Sequence, residues 1–217
     1  MIHTYSKARD GNIKLSESFR VREFACKDGS DYIPIDDDLV GFLQRIRNWA
    51  GAPVKITSGY RSPAYNATIK GASKNSYHTK GRAADIVVEG KSIYKVAAFA
   101  EAIGAGGVER NEDTNYVHID TRDVHYYFRH KGGRNIPVST MGGRCPYSEP
   151  KKSIRRGSSG DSVRWLQFWL KLWDCDVAVD GSFGVKTDAA VREIQEKRGL
   201  ITDGIVGAVT RAALKGY

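Results

Sequence analysis

Two histidines lie near carboxylates in apolar stretches, where a polar or charged side chain needs a partner. His78 precedes Asp85 by seven residues, and Asp85 falls within residues 83–88, which read as a buried strand. A carboxylate in such a strand is costly to bury unless it is paired, hydrogen-bonded or bound to a metal. His118 lies in a second short apolar strand, and because side chains alternate along a strand, His118 and Asp120 project to the same face.

These residues match a recurrent catalytic zinc set. Two histidines and one carboxylate, here His78, His118 and Asp85, leave a fourth position open to water. A metal held in this way lowers the pKa of water and polarises a scissile carbonyl. Spacing alone leaves open the alternative that both histidines are ordinary polar residues near a sheet. A Ser76/His78/Asp85 hydrolase triad is disfavoured, because Ser76 and His78 are only two residues apart and no strand–turn–helix elbow surrounds the serine.

The surrounding sequence predicts the elements that must position these side chains. Negative charge at residues 36–38 favours the start of a helix, and Gly51 followed by Pro53 provides its stop. Short alternating or apolar runs predict strands, and Ser92 can cap a further helix. The predicted elements are a helix at 36–50, strands at 54–57, 83–88 and 116–120, and a helix after Ser92. Together they indicate an α+β fold class for this part of the chain.

A stretch rich in Gly, Ser, Pro and basic residues divides the chain. Apolar periodicity disappears over roughly residues 129–160, which is typical of a linker. A surface loop inside one domain is the less favoured interpretation, because structureless loops of this length are uncommon. We therefore predict a first domain at residues 1–130, a linker at 131–156 and a second domain at 157–217.

The second domain contains an internal repeat. Residues 180–191 match residues 203–214, and each copy has an Asp-Gly turn followed by a threonine, Thr187 or Thr210, that could cap the next helix. Tryptophans recur every fourth residue at 165, 169 and 173, a stripe more typical of a core than of a ligand surface. The pattern predicts a small three-helix domain that binds a ligand rather than one that catalyses a reaction.

The composition excludes several classes of protein. The 217 residues are 41% hydrophobic and 27% charged, the balance of a globular protein, and no apolar run is long enough to span a membrane. The N-terminus lacks the apolar segment of a signal peptide, so we expect synthesis in the cytoplasm and no stable membrane association. The three cysteines are too far apart for a disulfide framework or a cysteine zinc cluster.

The net charge of +9 indicates that an acidic partner is favoured. Nucleic acid, anionic lipid and an anionic polymer such as a bacterial cell wall would all satisfy it. No stretch is a dense basic arm of the nucleic-acid type. Charge alone does not choose among these partners.

Three motifs together resemble a known family. SGYRSPAYN at residues 58–66, SYHTKGRAADI at 76–86 and NYVHID at 115–120 look like the zinc D-alanyl-D-alanine carboxypeptidases and their phage L-alanyl-D-glutamate endopeptidase relatives. The resemblance covers residues 19 to about 122. The repeat, with the preceding GSSGDSV and Leu166-Gln167, resembles a peptidoglycan-binding module. These resemblances imply a peptidase domain with a small central antiparallel sheet and flanking helices, followed by a three-helix wall-binding domain.

Carried over to this sequence, the resemblance implies roles for particular residues. The zinc ligands fall on His78, Asp85 and His118. Arg61 matches the arginine that faces the substrate carbonyl or carboxylate and would stabilise a developing oxyanion. Ser76 matches a serine near the substrate. Both Arg61 and Ser76 are therefore expected to contact substrate.

The general base is the point at which the sequence departs from the family. Many relatives carry Asp or Glu three residues before the last histidine ligand, where this chain has Asn115. Asp120 is our first candidate because it shares a face with His118, although a role in orienting that ligand is nearly as well supported. Glu112 and Asp113, on the preceding turn, are further candidates, and Glu109 is a weaker one.

The sequence thus predicts a zinc-dependent peptidase that cleaves a peptide bond in bacterial peptidoglycan. Zinc is the expected cofactor and peptidoglycan the expected partner of a monomeric chain that does not bind nucleic acid. The arrangement resembles a phage or prophage endolysin, made in the cytoplasm and acting on the wall after release. The alternative from a different class is a wall-binding protein on the same fold that has lost catalysis, which the amide at Asn115 would explain.

Overall fold

The computed structural model describes residues 1–217 and divides the chain into two units, Met1–Gly142 and Gly143–Tyr217. The first unit carries the motifs with the histidines, and the second carries the repeat. The elements of the first unit are β1 (Ile2–Ser6), α1 (Lys7–Asp10), β2 (Tyr32–Asp36), α2 (Asp37–Ala50), β3 (Val54–Ser58), α3 (Pro63–Thr68), β4 (Ala83–Val88), α4 (Ile93–Ala102), β5 (Gly107–Asn111), β6 (Tyr116–Asp120), β7 (Tyr126–Lys131) and β8 (Arg134–Val138). Short 3₁₀ turns at Val21–Phe24 and Tyr77–Lys80 complete the unit.

The first unit is built on a six-stranded sheet of order β3-β4-β6-β5-β7-β8, with β1 and β2 forming a separate antiparallel pair. All neighbours in the larger sheet are antiparallel except β5 and β7, which are parallel. The sheet is therefore mixed, whereas an antiparallel sheet was expected. The central strands β4, β6 and β5 carry the buried side chains on which the unit depends.

Two helices cover the sheet, and their ends confirm the sequence signals. The Asp36 side chain caps α2 at its N-terminus, and Gly51 ends it in the left-handed conformation with φ of 61°. Ser92 caps α4 through the amide of Lys95. Trp49 of α2 stacks on Phe99 of α4 with ring centroids 4.5 Å apart. Since both aromatic rings are buried, this contact ties the helices into one apolar core.

The structure differs from the predicted linker at its start. Residues 126–138 form a β-hairpin, β7 and β8, that extends the large sheet. Gly132 and Gly133 join the strands with φ of 58° and 70°, the two left-handed residues that a tight hairpin turn requires. The Asp113 carboxylate accepts a hydrogen bond of 2.8 Å from each of their amides. The glycine pair that suggested a flexible linker is therefore a turn.

The end of the predicted linker also differs from expectation. Ile154 is buried and pairs with Val206, which lies within the repeat. Glu149 accepts charge-assisted hydrogen bonds from Arg211 and Lys215. Residues 149–156 therefore belong to the second unit, and the first unit extends to residue 142.

The second unit consists of three helices, as predicted: α5 (Asp161–Leu172), α6 (Val185–Lys197) and α7 (Ala208–Leu214). Trp165 and Trp169 of α5 are buried, which confirms the expectation that the tryptophan stripe forms core. Trp173 is partly exposed, and its indole N–H donates to the Leu214 carbonyl at 2.8 Å. The tryptophans therefore link α5 to the C-terminal helix.

A buried glutamine holds the Asp-Gly turn in each copy of the repeat. Gln167 donates to the Asp180 carboxylate at 2.7 Å and accepts from the amide of Gly181 at 2.8 Å. Gln195 makes the same pair of bonds with Asp203 and Gly204, at 2.9 Å each. The repeated Asp-Gly turn is thus held by a side chain from the preceding helix, which supplies the partners that a buried amide needs.

The expected caps Thr187 and Thr210 have a different role. Gly184 and Gly207 occupy the N-cap positions, so each threonine lies inside the first turn of its helix. Both threonines are buried and accept a hydrogen bond from the glutamine of their copy. They therefore complete the glutamine network instead of capping the helix.

The helices of both units are short. The longest, α2, has 14 residues. None of the α-helices has the length and apolar character that crossing a membrane requires.

Two strands approach each other closely where β5 begins beside β6. Gly107 is the cross-strand partner of Asp120, whose side chain is fully buried. A Cβ atom at residue 107 would lie 2.3 Å from an oxygen of that carboxylate. Since the carboxylate is itself hydrogen-bonded to Arg122 and His118, it has no room to move aside. Only glycine fits at residue 107.

We expect Gly107→Ala to destabilise the first unit by about 1–3 kcal/mol, the usual cost of overpacking a buried site. The free energy of unfolding in urea is the measurement. The matched control is Gly41→Ala on the exposed face of α2, where a Cβ meets no atom within 4 Å. That control should stabilise the helix by roughly 0.5–1 kcal/mol. Equal stability of the two variants would contradict the close approach.

Candidate metal centre

Three elements bring His78, Asp85 and His118 together. His78 lies in the 3₁₀ turn Tyr77–Lys80, and its own backbone amide donates to the hydroxyl of the capping residue Ser76. Asp85 is in β4 and His118 in β6, and the two are direct cross-strand partners. Because opposite residues of an antiparallel pair project to the same face, the strand register alone places the carboxylate beside the second imidazole.

The three side chains converge on one point through one atom each. His78 Nε2 lies 3.1 Å from His118 Nδ1 and 3.2 Å from Asp85 Oδ1. His118 Nδ1 lies 2.9 Å from the same oxygen. Two nitrogens and one oxygen thus form a nearly equilateral triangle.

His78 is oriented by its backbone partner. Its Nδ1–H donates a hydrogen bond of 2.7 Å to the Gly59 carbonyl, which can only accept. The neutral ring therefore presents the lone pair of Nε2 to Asp85 and His118. Burial lowers the pKa of His78, which favours this neutral form.

Asp85 carries the negative charge of the cluster. Its second oxygen, Oδ2, accepts a hydrogen bond of 2.5 Å from Arg61. Burial acts to raise the pKa of the Asp85 carboxyl, but His78 and His118 together hold the pKa below its ordinary value. The carboxylate therefore stays ionised in a buried position, and Arg61 leaves Oδ1 facing the histidines.

His118 is oriented by Asp120. Its Nε2 lies 3.1 Å from Asp120 Oδ2, so that the other ring nitrogen, Nδ1, faces the cluster. Burial acts to lower the pKa of His118, but hydrogen bonds to Asp120 and Asp85 outweigh it and raise the pKa to about 10. A carboxylate that accepts from the distal nitrogen of a histidine fixes the ring and makes it a stronger ligand.

This geometry disagrees with Asp120 as the general base. Asp120 is fully buried, and its two oxygens accept from the backbone amide and guanidinium of Arg122 as well as from His118. Both oxygens are engaged, so neither is free to take a proton from water. The structure favours the alternative interpretation, in which Asp120 orients a ligand.

Arg122 is itself held by two aromatic rings. Its guanidinium carbon lies 4.8 Å from the ring centroid of Tyr77 and 5.2 Å from that of Tyr126. Such cation–π contacts fix the guanidinium over the carboxylate of Asp120. A chain of contacts thus runs from Tyr126 on β7 through Arg122 and Asp120 to His118.

The cluster lines a cavity of about 570 Å³. One wall is the segment from Ile69 to Tyr77, and the other is β7, which presents Tyr126, Phe128 and His130. Arg61 and Ser76, the two residues expected to contact substrate, line the same cavity. Arg61 also donates to the Ser58 hydroxyl at 2.8 Å, so it is held in place on two sides.

Two of the other candidate acids are engaged elsewhere. Glu112 accepts from Arg110 at 2.9 Å, and Asp113 accepts from the hairpin amides of β7 and β8. Asn115, at the position of the family's acid, has φ of 56° in the turn between β5 and β6. None of these three lines the cavity, whereas Glu109 does.

The cavity wall formed by β7 is the part of the site that sequence reasoning missed. Tyr126, Phe128 and His130 alternate along the strand, a period-two pattern that could have identified it. The following Gly-Gly pair instead led to the assignment of residues 131–156 as linker. Arg122 was missed because nothing in a single sequence shows which carboxylate an arginine meets.

The donor set fits a zinc ion. When both imidazoles are neutral and their distal N–H groups are engaged by Gly59 and Asp120, each ring offers a nitrogen lone pair to a cation at the point where Asp85 offers an oxygen. Donors bound to zinc at about 2.0–2.1 Å in a tetrahedron are separated by about 3.3 Å, close to the separations found here. His78, Asp85 and His118 can therefore hold a metal ion with little rearrangement.

Comparison with known families gives the same division of the chain. Residues 13–120 match the family model described as Peptidase M15, and residues 159–214 match one described as a putative peptidoglycan binding domain. The chain thus carries a Peptidase M15 domain followed by a peptidoglycan-binding domain. The three clustered side chains lie in the first of these.

Three curated relatives are similar to parts of the chain. The peptidoglycan L,D-endopeptidase MepK of Escherichia coli (strain K12) is 38% identical over 99 residues, which are 43% of this chain and 54% of that protein. The zinc D-Ala-D-Ala carboxypeptidase of Streptomyces albus G is 41% identical over 61 residues, 27% of this chain and 24% of that protein. The spore cortex-lytic enzyme of Bacillus cereus (strain ATCC 14579) is 39% identical over 83 residues, 38% of this chain and 32% of that protein. The chain spans about half the length of the first of these relatives.

We expect His118→Ala to lose bound zinc while the first unit stays folded, because the apolar core lies apart from the cluster. Elemental analysis should find about one zinc ion per wild-type chain and much less in the variant. His125→Ala, which removes an exposed histidine outside the cluster, is the matched control and should keep its zinc. Full zinc content in His118→Ala would contradict the assignment.

Asp120→Asn tests whether Asp120 orients His118. The amide carries no charge and places an N–H₂ where His118 and Arg122 need acceptors. We expect zinc affinity to fall about 10–100-fold, measured by competition with a chromophoric chelator. The control Asp123→Asn changes an exposed carboxylate nearby and should leave the affinity unchanged. Unchanged affinity in Asp120→Asn, combined with lost turnover, would restore Asp120 as the base.

Proposed function

We propose that this protein is a zinc-dependent peptidase that cleaves a peptide bond in bacterial peptidoglycan. The observation that carries the proposal is the convergence of His78 Nε2, Asp85 Oδ1 and His118 Nδ1 in a cavity of a Peptidase M15 domain. The names of the relatives, a peptidoglycan endopeptidase and a zinc carboxypeptidase, support the same reaction class. The peptidoglycan-binding domain supports the same polymer.

The residues of such a site have separate roles. His78, Asp85 and His118 hold the metal, and Asp120 keeps His118 in the ligating orientation. Zinc, when bound, supplies a Lewis acid that polarises a carbonyl and lowers the pKa of water. Arg61 binds the carbonyl or carboxylate of the substrate with the donors that Ser58 and Asp85 leave free. Ser76 offers a hydroxyl at the wall of the cavity.

We also propose that the chain acts as an endolysin of phage or prophage origin. A peptidase joined to a wall-binding module on a chain of net charge +9 suits an enzyme that attacks an anionic wall. The protein would be made in the cytoplasm and reach the wall after release, as a monomer without nucleic acid or stable membrane association. A fall in turbidity of permeabilised bacteria, absent with His118→Ala, is the expected result.

Digestion of purified sacculi by the zinc-loaded full-length protein tests the proposal. Mass spectrometry of the released muropeptides should show peptides cut at one bond, and His118→Ala should release none. The masses distinguish cleavage between L-Ala and D-Glu, within the D-Ala cross-link, and at a terminal D-Ala. A zinc-bound protein that binds sacculi but releases nothing would instead be a wall-binding protein without catalysis.

The two units should be separable in function. We expect residues 143–217 to fold alone and to pellet with purified walls. Residues 1–142 should cleave soluble muropeptides at the wild-type rate but act on intact walls about 10²-fold more slowly, because they lose the effective concentration that tethering supplies. Rates of muropeptide release from both substrates are the measurement. Equal rates of the fragment and the full chain on intact walls would show that the second unit does not tether.

A further inference from the structure

The proposed hydrolysis requires a group that takes a proton from water, and Asp120 and Asn115 do not provide it. We infer that Glu109 is the residue that takes this proton and delivers it to the leaving amine. The inference rests on the proposed function. It assigns a catalytic role to β5, which lies outside the three motifs that resemble the family.

The register of the sheet places Glu109 next to the metal ligands. Glu109 in β5 is the direct cross-strand partner of His118 in β6. Opposite residues of an antiparallel pair share a face, so the Glu109 side chain projects to the same side as His118. Both side chains line the one cavity that contains the cluster. Phe128 of β7 is the cross-strand neighbour of Glu109 on the other side and lines the same cavity.

Asn111 holds the Glu109 carboxylate in place. Its side-chain N–H₂ donates to Glu109 Oε1 at 3.0 Å. Its carbonyl oxygen accepts from the Asp113 amide and from the amide and hydroxyl of Thr114, at 3.2, 2.9 and 2.8 Å. These three bonds fix which end of the amide faces Glu109. Asn111 is buried, so this support is preorganised.

Glu109 is the acid of the cavity that is not committed to a cation. Asp85 is paired with Arg61, and Asp120 with Arg122. Glu109 forms no ion pair with lysine or arginine, and its fixed hydrogen bond from Asn111 engages only Oε1. Its other oxygen, Oε2, is therefore available to take a proton.

The step balances without any further reactant. Water transfers one proton to Glu109 as its oxygen bonds to the carbonyl carbon. Glu109 passes that proton to the amide nitrogen as the C–N bond breaks. The remaining hydroxyl proton goes to the released amine, so that the products are a carboxylate and an ammonium group. Glu109 returns to its ionised form.

Glu109→Gln in the full-length zinc-loaded chain is the test, with Glu112→Gln as the matched control. We expect Glu109→Gln to keep its zinc and its dissociation constant for an intact muropeptide, while turnover falls about 10²–10⁴-fold. Glu112→Gln should turn over within about threefold of wild type, because Glu112 lies outside the cavity. Near-wild-type turnover of Glu109→Gln would overturn the inference, and so would loss of its zinc. If Glu109→Gln does not fold, Glu109→Asp provides the same test, since it keeps the charge but withdraws it from the reacting water.

Cobalt substitution gives a readout that does not depend on cell-wall cleavage. The visible absorption bands of bound cobalt report on the groups that face the ion. A shift of these bands in Glu109→Gln, absent from Glu112→Gln, supports a carboxylate facing the metal site, and unchanged bands overturn it. If the wild-type chain binds metal but releases no muropeptide, the proposed substrate fails, while the cobalt bands still decide the placement of Glu109.

Discussion

The buried carboxylate of Asp85 is the constraint on which the polar interior of the first unit depends. An ionised side chain inside a central strand is tolerated only when every part of it is paired. Arg61 takes one oxygen, and His78 and His118 face the other. Each of these partners needs its own support, from Ser58, from Gly59 and from Asp120. The polar interior of the unit is therefore one connected network built around a single charge.

The same network explains features that look unrelated to it. Residue 107 in β5 must be glycine because the carboxylate of Asp120 occupies the space that a Cβ would fill. The hairpin of β7 and β8 supplies Tyr126, which holds Arg122 over that carboxylate. A chain that ended at residue 130, the predicted boundary, would lack the strand β8 that pairs with β7. Gly107 and the hairpin of β7 and β8 thus both serve the placement of Asp120, which orients His118.

Sequence reasoning identified the elements whose signals are local. The acidic helix start at residues 36–38, the cap Ser92 and the strand bounds at residues 83–88 and 116–120 agree with the structure because each depends on neighbours in the chain. The set of His78, Asp85 and His118 was expected from the resemblance of three motifs, because spacing alone left open that both histidines are ordinary polar residues. Strand order and register are long-range properties, so the pairing of Glu109 with His118 and the parallel pairing of β5 with β7 could not be inferred.

The glycine-rich hairpin was missed because Gly-Gly is compatible with both a linker and a tight turn. What separates the two interpretations is the Asp113 carboxylate, which accepts from both glycine amides and lies 19 residues away from the first. The threonines of the repeat were misassigned for a comparable reason. Their hydroxyls meet Gln167 and Gln195, and a buried glutamine has no local signature that distinguishes it from an exposed one.

The inferred role of Glu109 moves the proton-accepting acid from the turn that carries Asn115 to the neighbouring strand β5. Asn115 lies in the turn between β5 and β6 with a left-handed backbone, outside the cavity. Glu109 lies on the strand that enters the same turn, and the register returns it to the side of His118. Strand pairing, and not the turn, therefore decides which acid lies on the side of the cluster. The same register that sets Asp85 opposite His118 sets Glu109 opposite His118 on the other edge of β6, so the inferred base and the three ligands are positioned by one set of strand pairings.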